Sequence, residues 1–450
     1  SIYKGIKKLL PGTYLQVRLG DDASSHALTP KVYWSLADVA AQGVAAPFEG
    51  SDTDVIGALD SQLRQSIGLQ MVADVPLGAF LSGGVDSSAV VALMQAQSMR
   101  PVKTFSIGFD EAGYNEAVYA KAVAQHLGTE HTELYLSAAE AMAVIPLLGK
   151  IYDEPFSDSS QIPTFLVSQM AKQDVTVSLS GDAGDELFCG YNRYGLADHW
   201  GRIEKAPVGV RKLVSNVIDL IQSETWDGVF QQISKFKKMP DNMGNKLGKF
   251  ARVMKSDTIQ DAYFSLVSEI DGSKQIVIGA TEAETWLRQV GMNASFQDAK
   301  QHMMFMDAMT YLPDDILVKV DRAAMANSLE TRVPFLDHRV VELAWRLPTA
   351  MKMHEGKTKW ILRQVLYQYV PQQLIERPKA GFSIPLGDWL RGPLRDWGES
   401  LLDEQRLKHD GYFNIHFVRE LWGAHLAGRH NHQSLLWSIL MFQTWLKETH

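Results

Sequence analysis

The chain has 450 residues, of which 46% are hydrophobic and 21% charged, a composition that is ordinary for a globular protein of two or three domains. Its net charge of -8 with interspersed signs argues against a nucleic-acid partner, and its apolar runs are too short for a membrane-spanning helix. The single cysteine, Cys189, excludes an intrachain disulfide and predicts a reducing, cytoplasmic location.

The first fifty residues predict a small hairpin and a linker. Alternation in Thr13–Leu19 and in Lys31–Trp34 favours two short strands separated by a turn. The small residues of Ala40–Pro47 are typical of a linker.

Residues 53–194 alternate between helical and strand patterns. Helices are predicted over Asp54–Met71, over Glu116–Leu127 and over Thr164–Gln173. A further helix is predicted to follow the strand His131–Leu136 and to run to about Ile151. Between them lie four apolar strands, predicted within Val75–Leu81, Val102–Phe109, His131–Leu136 and Val175–Leu179. Such repeated units predict an α/β fold with a doubly wound parallel sheet, in which ligands bind at the carboxyl ends of the strands.

A glycine-rich turn follows the first of these strands. The turn Ser82–Ser88 reads Ser-Gly-Gly-Val-Asp-Ser-Ser and leads into an apolar helix, for which Ser87 and Ser88 are the candidate N-caps. Unpaired N–H groups at a helix start attract an anion, and glycine lets that anion approach the backbone. Asp86 would repel the anion unless a cation bridges the two, so the turn predicts a nucleotide with Mg²⁺. An ordinary connecting turn is the alternative.

This turn resembles the pyrophosphate loop (PP-loop) of the ATP pyrophosphatases, which include asparagine, GMP, NAD and argininosuccinate synthetases. The resemblance implies that the loop holds the β,γ-pyrophosphate of ATP while a substrate attacks the α-phosphate. A kinase-type loop is not indicated, because Gly356-Lys357-Thr358 lacks the preceding glycine and is predicted to be a surface turn. The implied ATP-binding residues are Leu81, Ser82, Gly83, Gly84, Asp86, Ser87, Ser88, Ile107, Ser180 and Gly181, with Leu81 and Ile107 beside the adenine and ribose.

A second, acidic loop, Ser180–Glu186, follows the fourth strand. Its three carboxylates in five residues would repel one another unless they hold a cation, and an acidic helix N-terminus on the surface is the alternative. The loop resembles the second signature of asparagine synthetases, which implies that Asp185 and Asp86 hold Mg²⁺. It also implies that Asp182 helps the nucleophile, although well-known members have glutamate there. The nearby Cys189 is predicted to be a packed small residue.

Three later segments extend the resemblance. The loop Tyr152–Ser160 resembles the substrate side of the family, with an ordinary turn as the alternative. Residues 195–300 look helical without a motif, whereas Tyr311–Asp337 resembles the helical C-terminal part of asparagine synthetases and predicts half-buried ion pairs. In the loop that follows Arg377, Lys379 could reach a phosphate. The resemblance implies that Lys379 stabilises charge at the α-phosphate and on the acyl-adenylate, with a solvated loop lysine as the alternative.

The start of the chain resembles the end of another domain. Ile6–Leu15 is similar to the tail of the N-terminal glutaminase domain of glutamine-dependent asparagine synthetases, whose N-terminal cysteine nucleophile is not found here. We therefore expect a glutaminase remnant and linker in residues 1–50, the PP-loop ATP-binding domain in 51–200, and a mainly helical region completing the site in 201–450. A glutaminase domain or subunit is the expected partner in the intact protein, and a homodimer is left open.

These resemblances predict the synthetase portion of an ATP-dependent carbon–nitrogen ligase. A carboxylate, with aspartate as the first candidate, is adenylated with release of pyrophosphate, and ammonia then displaces AMP to leave an amide. The aspartate at position 182 leaves a sugar uronic acid open as the acceptor, because relatives associated with surface-polysaccharide gene sets show similar variants. A non-catalytic nucleotide-binding scaffold is the alternative of another class.

Overall fold

The computed structural model describes residues 1–17, 29–109, 116–220, 243–269, 276–281, 296, 298–376 and 384–449. Its strands are β1 (Thr13–Tyr14), β2 (Lys31–Val32), β3 (Leu77–Phe80), β4 (Lys103–Phe109), β5 (Glu130–Leu136), β6 (Val177–Leu179), β7 (Glu330–Arg332), β8 (Met353–His354) and β9 (Lys357–Thr358).

The helices in the first half of the chain are α1 (Leu36–Ala45), α2 (Asp52–Gln70), α3 (Val85–Gln95), α4 (Ala117–Leu127), α5 (Ala138–Ala143), α6 (Ile145–Ile151), α7 (Gln161–Lys172), α8 (Gly184–Leu187), α9 (Tyr194–Lys205) and α10 (Val208–Leu220). Later helices span Met243–Lys255, Ile259–Val267, Ala299–Met306, Leu317–Met325, His338–Arg346, Thr349–Lys352, Trp360–Leu366, Gln372–Ile375, Leu386–Arg391, Arg395–Leu401, Glu404–Asp410, Ile415–Leu426 and Gln433–Thr449. A π-helix spans Asp307–Ile316 and a 3-10 turn Pro334–Leu336. In the part of the chain that is described, no helix combines the length and apolar character needed to cross a bilayer.

A parallel sheet of five strands organises the chain, in the spatial order β5, β4, β3, β6, β7. The chain runs outward from β3 to β4 and β5, and then returns to β6 on the other side of β3. The carboxyl ends of β3 and β6 therefore meet where the strand order reverses, which is where sheets of this kind bind ligands. The predicted α/β fold with a doubly wound parallel sheet of the PP-loop type, followed by a mainly helical region, is confirmed.

Hydrophobic cores cover both faces of this sheet. Side chains alternate between the faces of a strand, so Ala79 and Leu81 belong to one core while Phe80 packs against the other. The first core includes α2, whose Val55, Leu59, Leu63 and Ile67 recur every four residues and form its buried face.

The linker prediction for residues 40–47 was wrong. Ser35 caps the helix α1 by accepting a hydrogen bond from Asp38 N (3.2 Å). The small residues of α1 allow it to pack closely on the helix His338–Arg346, since a Cβ on Gly43 would stand 2.7 Å from the carbonyl carbon of Trp345. The predicted hairpin before it is confirmed in β1 and β2, which pair antiparallel, while residues 18–28 lie outside the described part.

Strand β7 is a second departure from the sequence analysis, which placed residues 311–337 in helical structure. Leu179 of β6 pairs with Arg332 of β7, and Ser180 N donates to the Arg332 carbonyl oxygen (2.8 Å). This edge strand therefore anchors the start of the acidic loop.

Candidate active site

A cavity of about 550 Å³ lies at the carboxyl ends of β3 and β6. Its wall contains the predicted residues Leu81, Ser82, Gly83, Gly84, Asp86, Ser87, Ile107, Ser180, Gly181, Asp182 and Asp185. Ser88 is fully buried and is not part of that wall. Lys379 lies outside the described residues, so its predicted place at the phosphates stays a prediction.

The PP-loop is shaped by its own hydrogen bonds. Ser82 N donates to Ser87 Oγ (3.1 Å), and Gly84 N donates to Ser82 Oγ (3.3 Å). Gly83 has φ +71°, and a Cβ there would lie 2.8 Å from the backbone nitrogen of Ala120 in α4. Glycine is therefore required where α4 packs against the loop.

The predicted serine caps of the following helix were wrong. Helix α3 begins at Val85 with Gly84 as its N-cap, and Ser87 and Ser88 lie inside the first turn. Because Gly84 offers no side chain, the helix has no side-chain cap, and its first turn forms part of the cavity wall. A helix start of this kind suits an anion.

Lys359, which the sequence analysis missed, lies at the centre of the site. Its Nζ is 2.7 Å from Asp185 Oδ1 and also contacts the Asp86 carboxylate, and its side chain is 5% exposed. Burial alone would lower the pKa of Lys359, but the charges of Asp86 and Asp185 outweigh burial and hold that pKa above its usual value. The residue is therefore a buried ammonium.

The tertiary structure positions Lys359 without a local sequence signal. Its N–H donates to the Phe188 carbonyl oxygen (3.1 Å), and its backbone is left-handed with φ +55°. Lys357, in the turn that was predicted to be at the surface, is indeed exposed on β9.

The two metal-ligand candidates fit a cation that arrives with a nucleotide. Among the residues the structure describes, no group of three or more His, Cys, Asp or Glu side chains could hold a metal alone. Asp86 and Asp185 nevertheless converge on one positive charge, that of Lys359. Two carboxylates completed by phosphate oxygens are the ligand set that Mg²⁺ usually takes in nucleotide sites.

The acidic loop packs against the PP-loop rather than forming a surface helix terminus. A Cβ on Gly181 would stand 2.7 Å from Ser87 N, so glycine permits this close approach. Asp182 accepts a hydrogen bond from Ser180 Oγ (2.6 Å). Burial raises the pKa of Asp182, and the Ser180 hydrogen bond and the charge of Lys319 act against that rise.

Another part of the cavity wall is built from residues of the 152–160 loop and of the helix Leu317–Met325. Asp158, Ser159 and Ser160 line the cavity, and the substrate side that the resemblance implies for this loop stays a prediction. Lys319 Nζ lies 2.8 Å from Asp158 Oδ2, which is one of the predicted half-buried ion pairs. Burial would raise the pKa of Asp158, but the Lys319 charge and hydrogen bonds from Lys319 and Ser160 hold it below its usual value.

A tyrosine beside the acidic loop also lines the cavity, and the sequence analysis did not single it out. Tyr191 Oη donates to Glu186 Oε1 (2.6 Å), and burial raises the pKa of Glu186 to about 7. The Arg193 guanidinium lies 4.0 Å from the Tyr191 ring centre and pairs with Asp307, with Nε to Oδ2 at 3.0 Å. These contacts join the acidic loop to the π-helix of the helical region.

Cys189 is a packed residue, as predicted. It is fully buried in the first core, and burial raises the pKa of its thiol to about 12. A thiol of that kind is a poor nucleophile at neutral pH.

A glycine loop and an acidic loop that meet at the switch point of a parallel α/β sheet define a nucleotide-binding protein of the PP-loop type. A family model described as asparagine synthase matches residues 58–447. The chain belongs to this asparagine synthase family.

Curated relatives agree with this assignment. Asparagine synthetase [glutamine-hydrolyzing] 1 of Bacillus subtilis is 30% identical over 98% of this chain and 65% of its own length. A putative asparagine synthetase [glutamine-hydrolyzing] of Mycobacterium tuberculosis is 31% identical over 99% of this chain and 64% of its own length. The chain thus spans slightly less than two thirds of the length of these relatives.

Proposed function

We propose that this chain carries out ATP-dependent amide formation. A substrate carboxylate attacks the α-phosphate of ATP, pyrophosphate leaves, and ammonia attacks the resulting acyl-adenylate to give an amide and AMP. The observation that carries the proposal is the buried Lys359 ammonium between Asp86 and Asp185, beside the PP-loop. Family membership supports it, since the relatives are named asparagine synthetases.

The adenylation step uses the sheet side of the cavity. The backbone and hydroxyls of Ser82, Gly83, Gly84 and Ser87 would donate to the β,γ-phosphates, and the apolar Leu81 and Ile107 would contact the adenine and ribose. Lys359 offsets charge as pyrophosphate separates. Asp86 and Asp185 would hold Mg²⁺, which supplies further positive charge to the triphosphate when it is bound.

The amination step involves the acidic loop. The ammonia nitrogen forms a bond to the acyl carbon, the bond to the AMP oxygen breaks, and one proton leaves the nitrogen. Asp182, in the cavity wall, is the residue we propose to orient ammonia or accept this proton. Lys379 is proposed to stabilise the adenylate.

Aspartate is the proposed acceptor, giving asparagine, because the relatives carry that enzyme's name. The greater length and the glutamine-hydrolyzing names of these relatives support a glutaminase domain or subunit as the ammonia source. Within the cavity wall, Ser159, Ser160 and Thr164 carry hydroxyls and Asp158 a carboxylate, groups that would also suit a sugar uronic acid. That acceptor is the second candidate.

Carboxylate-dependent exchange between ATP and pyrophosphate tests the proposal. Mg²⁺ and ATP are supplied with aspartate, then with uronic acids and nucleotide-linked uronic acids, and Asp86→Ala is the control. Exchange that occurs with one particular carboxylate and is absent in Asp86→Ala supports adenylation and identifies that carboxylate as the acceptor. ATP binding without exchange for any carboxylate would contradict the proposal and favour the scaffold alternative.

A further inference from the structure

Residues 1–8, which we name the N-terminal strap, lie against the 152–160 loop. Ile2 N donates to Glu154 Oε2 (2.9 Å), and Lys8 Nζ lies 3.2 Å from Glu154 Oε1. The strap precedes the region that the family model matches, which begins at residue 58.

The strap also holds an unusual turn in this loop. Asp153 has φ +59°, a conformation that residues with side chains rarely adopt. The Asp153 carbonyl oxygen accepts hydrogen bonds from Tyr3 Oη (3.0 Å) and from Trp445 Nε1 (3.0 Å). The Tyr3 ring packs edge-on against Trp445, with centroids 6.0 Å apart, and Arg322 lies 3.0 Å from the Asp153 carboxylate. Contacts from three separate elements therefore converge on this left-handed residue.

The turn at Asp153 is flanked in the chain by two stacked rings, and the cavity wall begins two residues beyond the second ring. Tyr152 stacks on Phe156 with centroids 4.5 Å apart, and Tyr152 Oη donates to the Lys319 carbonyl oxygen (3.3 Å). Two residues beyond Phe156, Asp158 meets the Lys319 ammonium in the cavity wall. A change of backbone at Asp153 would therefore alter the course of the chain toward Asp158, Ser159 and Ser160.

We propose that Tyr3 and Trp445 are positioning residues for the acceptor carboxylate. By holding the Asp153 carbonyl they keep the turn left-handed, and the turn places the acceptor wall of the cavity. The PP-loop and the acidic loop, which form the ATP side, extend from β3 and β6 and do not depend on this turn. The kinetic part of this inference rests on the proposed adenylation, whereas its structural part does not.

Hydrogen–deuterium exchange of the full chain measures the structural part. Tyr3→Phe keeps the ring but removes one donor, so we expect the amides of residues 153–160 to exchange severalfold faster. Asp153→Ala should have the same effect, because alanine disfavours positive φ. Asp153→Gly removes the same carboxylate and its Arg322 contact, but glycine adopts a positive φ freely. The amides of residues 153–160 should therefore exchange much more slowly in the glycine variant than in the alanine variant. Equal rates in the alanine and glycine variants, or unchanged exchange in both Tyr3→Phe and Asp153→Ala, would overturn the inference.

Steady-state kinetics measure the consequence for the acceptor. In Tyr3→Phe and Asp153→Ala the half-saturating carboxylate concentration should rise severalfold while that of ATP stays the same. Combining Tyr3→Phe with Asp153→Gly should restore most of the acceptor affinity. An equal rise for ATP and carboxylate would indicate general loosening and contradict a positioning role. If the unmodified chain shows no exchange with any carboxylate, the proposed function fails, and the deuterium exchange still decides the positioning role.

Discussion

The Lys359 ammonium lies 2.7 Å from Asp185 Oδ1 and contacts Asp86 as well, so one buried cation joins the PP-loop to the acidic loop. Asp86 and Asp185 lie in the first turns of helices α3 and α8, which follow the neighbouring strands β3 and β6, and the lysine comes from a segment more than 170 residues farther along the chain. The ammonium offsets part of the charge of two acids that would otherwise repel each other and the phosphates of a nucleotide.

Lys359→Met should abolish most of the pyrophosphate exchange. Loss of a charge aimed at the separating pyrophosphate is expected to cost on the order of 10²–10³ in rate. Because Asp86 and Asp185 would lose a buried partner, the free energy of unfolding should also fall, by about 3–5 kcal/mol. Exchange kinetics and denaturant unfolding check both effects. The matched control is Lys357→Met, two residues earlier on β9, and comparable losses in that variant would refute a specific role for Lys359.

Asp182 should affect the two half-reactions differently. In Asp182→Asn, amide formation is expected to slow by about 10²-fold, because a group that accepts a proton is removed, while pyrophosphate exchange changes only a few-fold. Asp182→Glu restores the carboxylate and should retain much of the amide formation. Amide formation and ATP–pyrophosphate exchange are measured on the same preparations. Equal slowing of both reactions in Asp182→Asn would indicate that Asp182 has a structural role instead.

Gly83→Ala should destabilise the protein and weaken ATP binding. The left-handed φ of +71° and the 2.8 Å approach to Ala120 N both oppose a Cβ. We expect a loss of about 1–3 kcal/mol in the free energy of unfolding. Gly84→Ala is the control, since its φ is -77° and its Cβ would meet the Ser82 hydroxyl at 3.2 Å. The prediction fails if the two variants unfold at the same denaturant concentration.

The Asp158–Lys319 pair should make stability depend on pH in the acid range. The folded-state pKa of Asp158 is lowered, so its contribution is present above the unfolded-state pKa of about 3.9 and is lost as the pH falls through the folded value. In Asp158→Asn the fall in the free energy of unfolding below about pH 4 should therefore be shallower. Denaturant titrations at several pH values measure it. An unchanged acid slope would show that the pair contributes no such stabilisation.

Removing only the cation of this pair should be more harmful than removing both charges. Lys319→Met leaves Asp158 buried without its partner, which we expect to cost about 3–5 kcal/mol at neutral pH. The double variant Asp158→Asn with Lys319→Met should recover part of that loss, because no unpaired charge remains. Denaturant unfolding of the single and double variants gives the coupling directly. A double variant less stable than Lys319→Met would contradict this account.

Most of the sheet could be predicted because its central strands β3, β4 and β6 are buried and largely apolar and its helices have a repeating face, patterns that burial imposes on the local sequence; the polar edge strand β7 gave no such pattern. The PP-loop and the acidic loop could also be predicted, because their glycines and carboxylates are contiguous in the chain. Residues 40–47 were misread because small residues serve a linker and a tight helix contact equally well, and only the neighbour at Trp345 distinguishes the two. The domain boundaries predicted at residues 50 and 200 stay predictions.

By itself, therefore, the sequence determined the parallel α/β fold and the two loops that line the cavity, because both depend on residues close together in the chain. Only the tertiary structure decided that Lys359 stands between Asp86 and Asp185, that β7 anchors the acidic loop, and that Tyr3 supports the turn at Asp153. Each of these contacts joins residues that are far apart in sequence. Their partners are selected by how the helical region and the N-terminal strap pack on the sheet, and no local pattern records that packing.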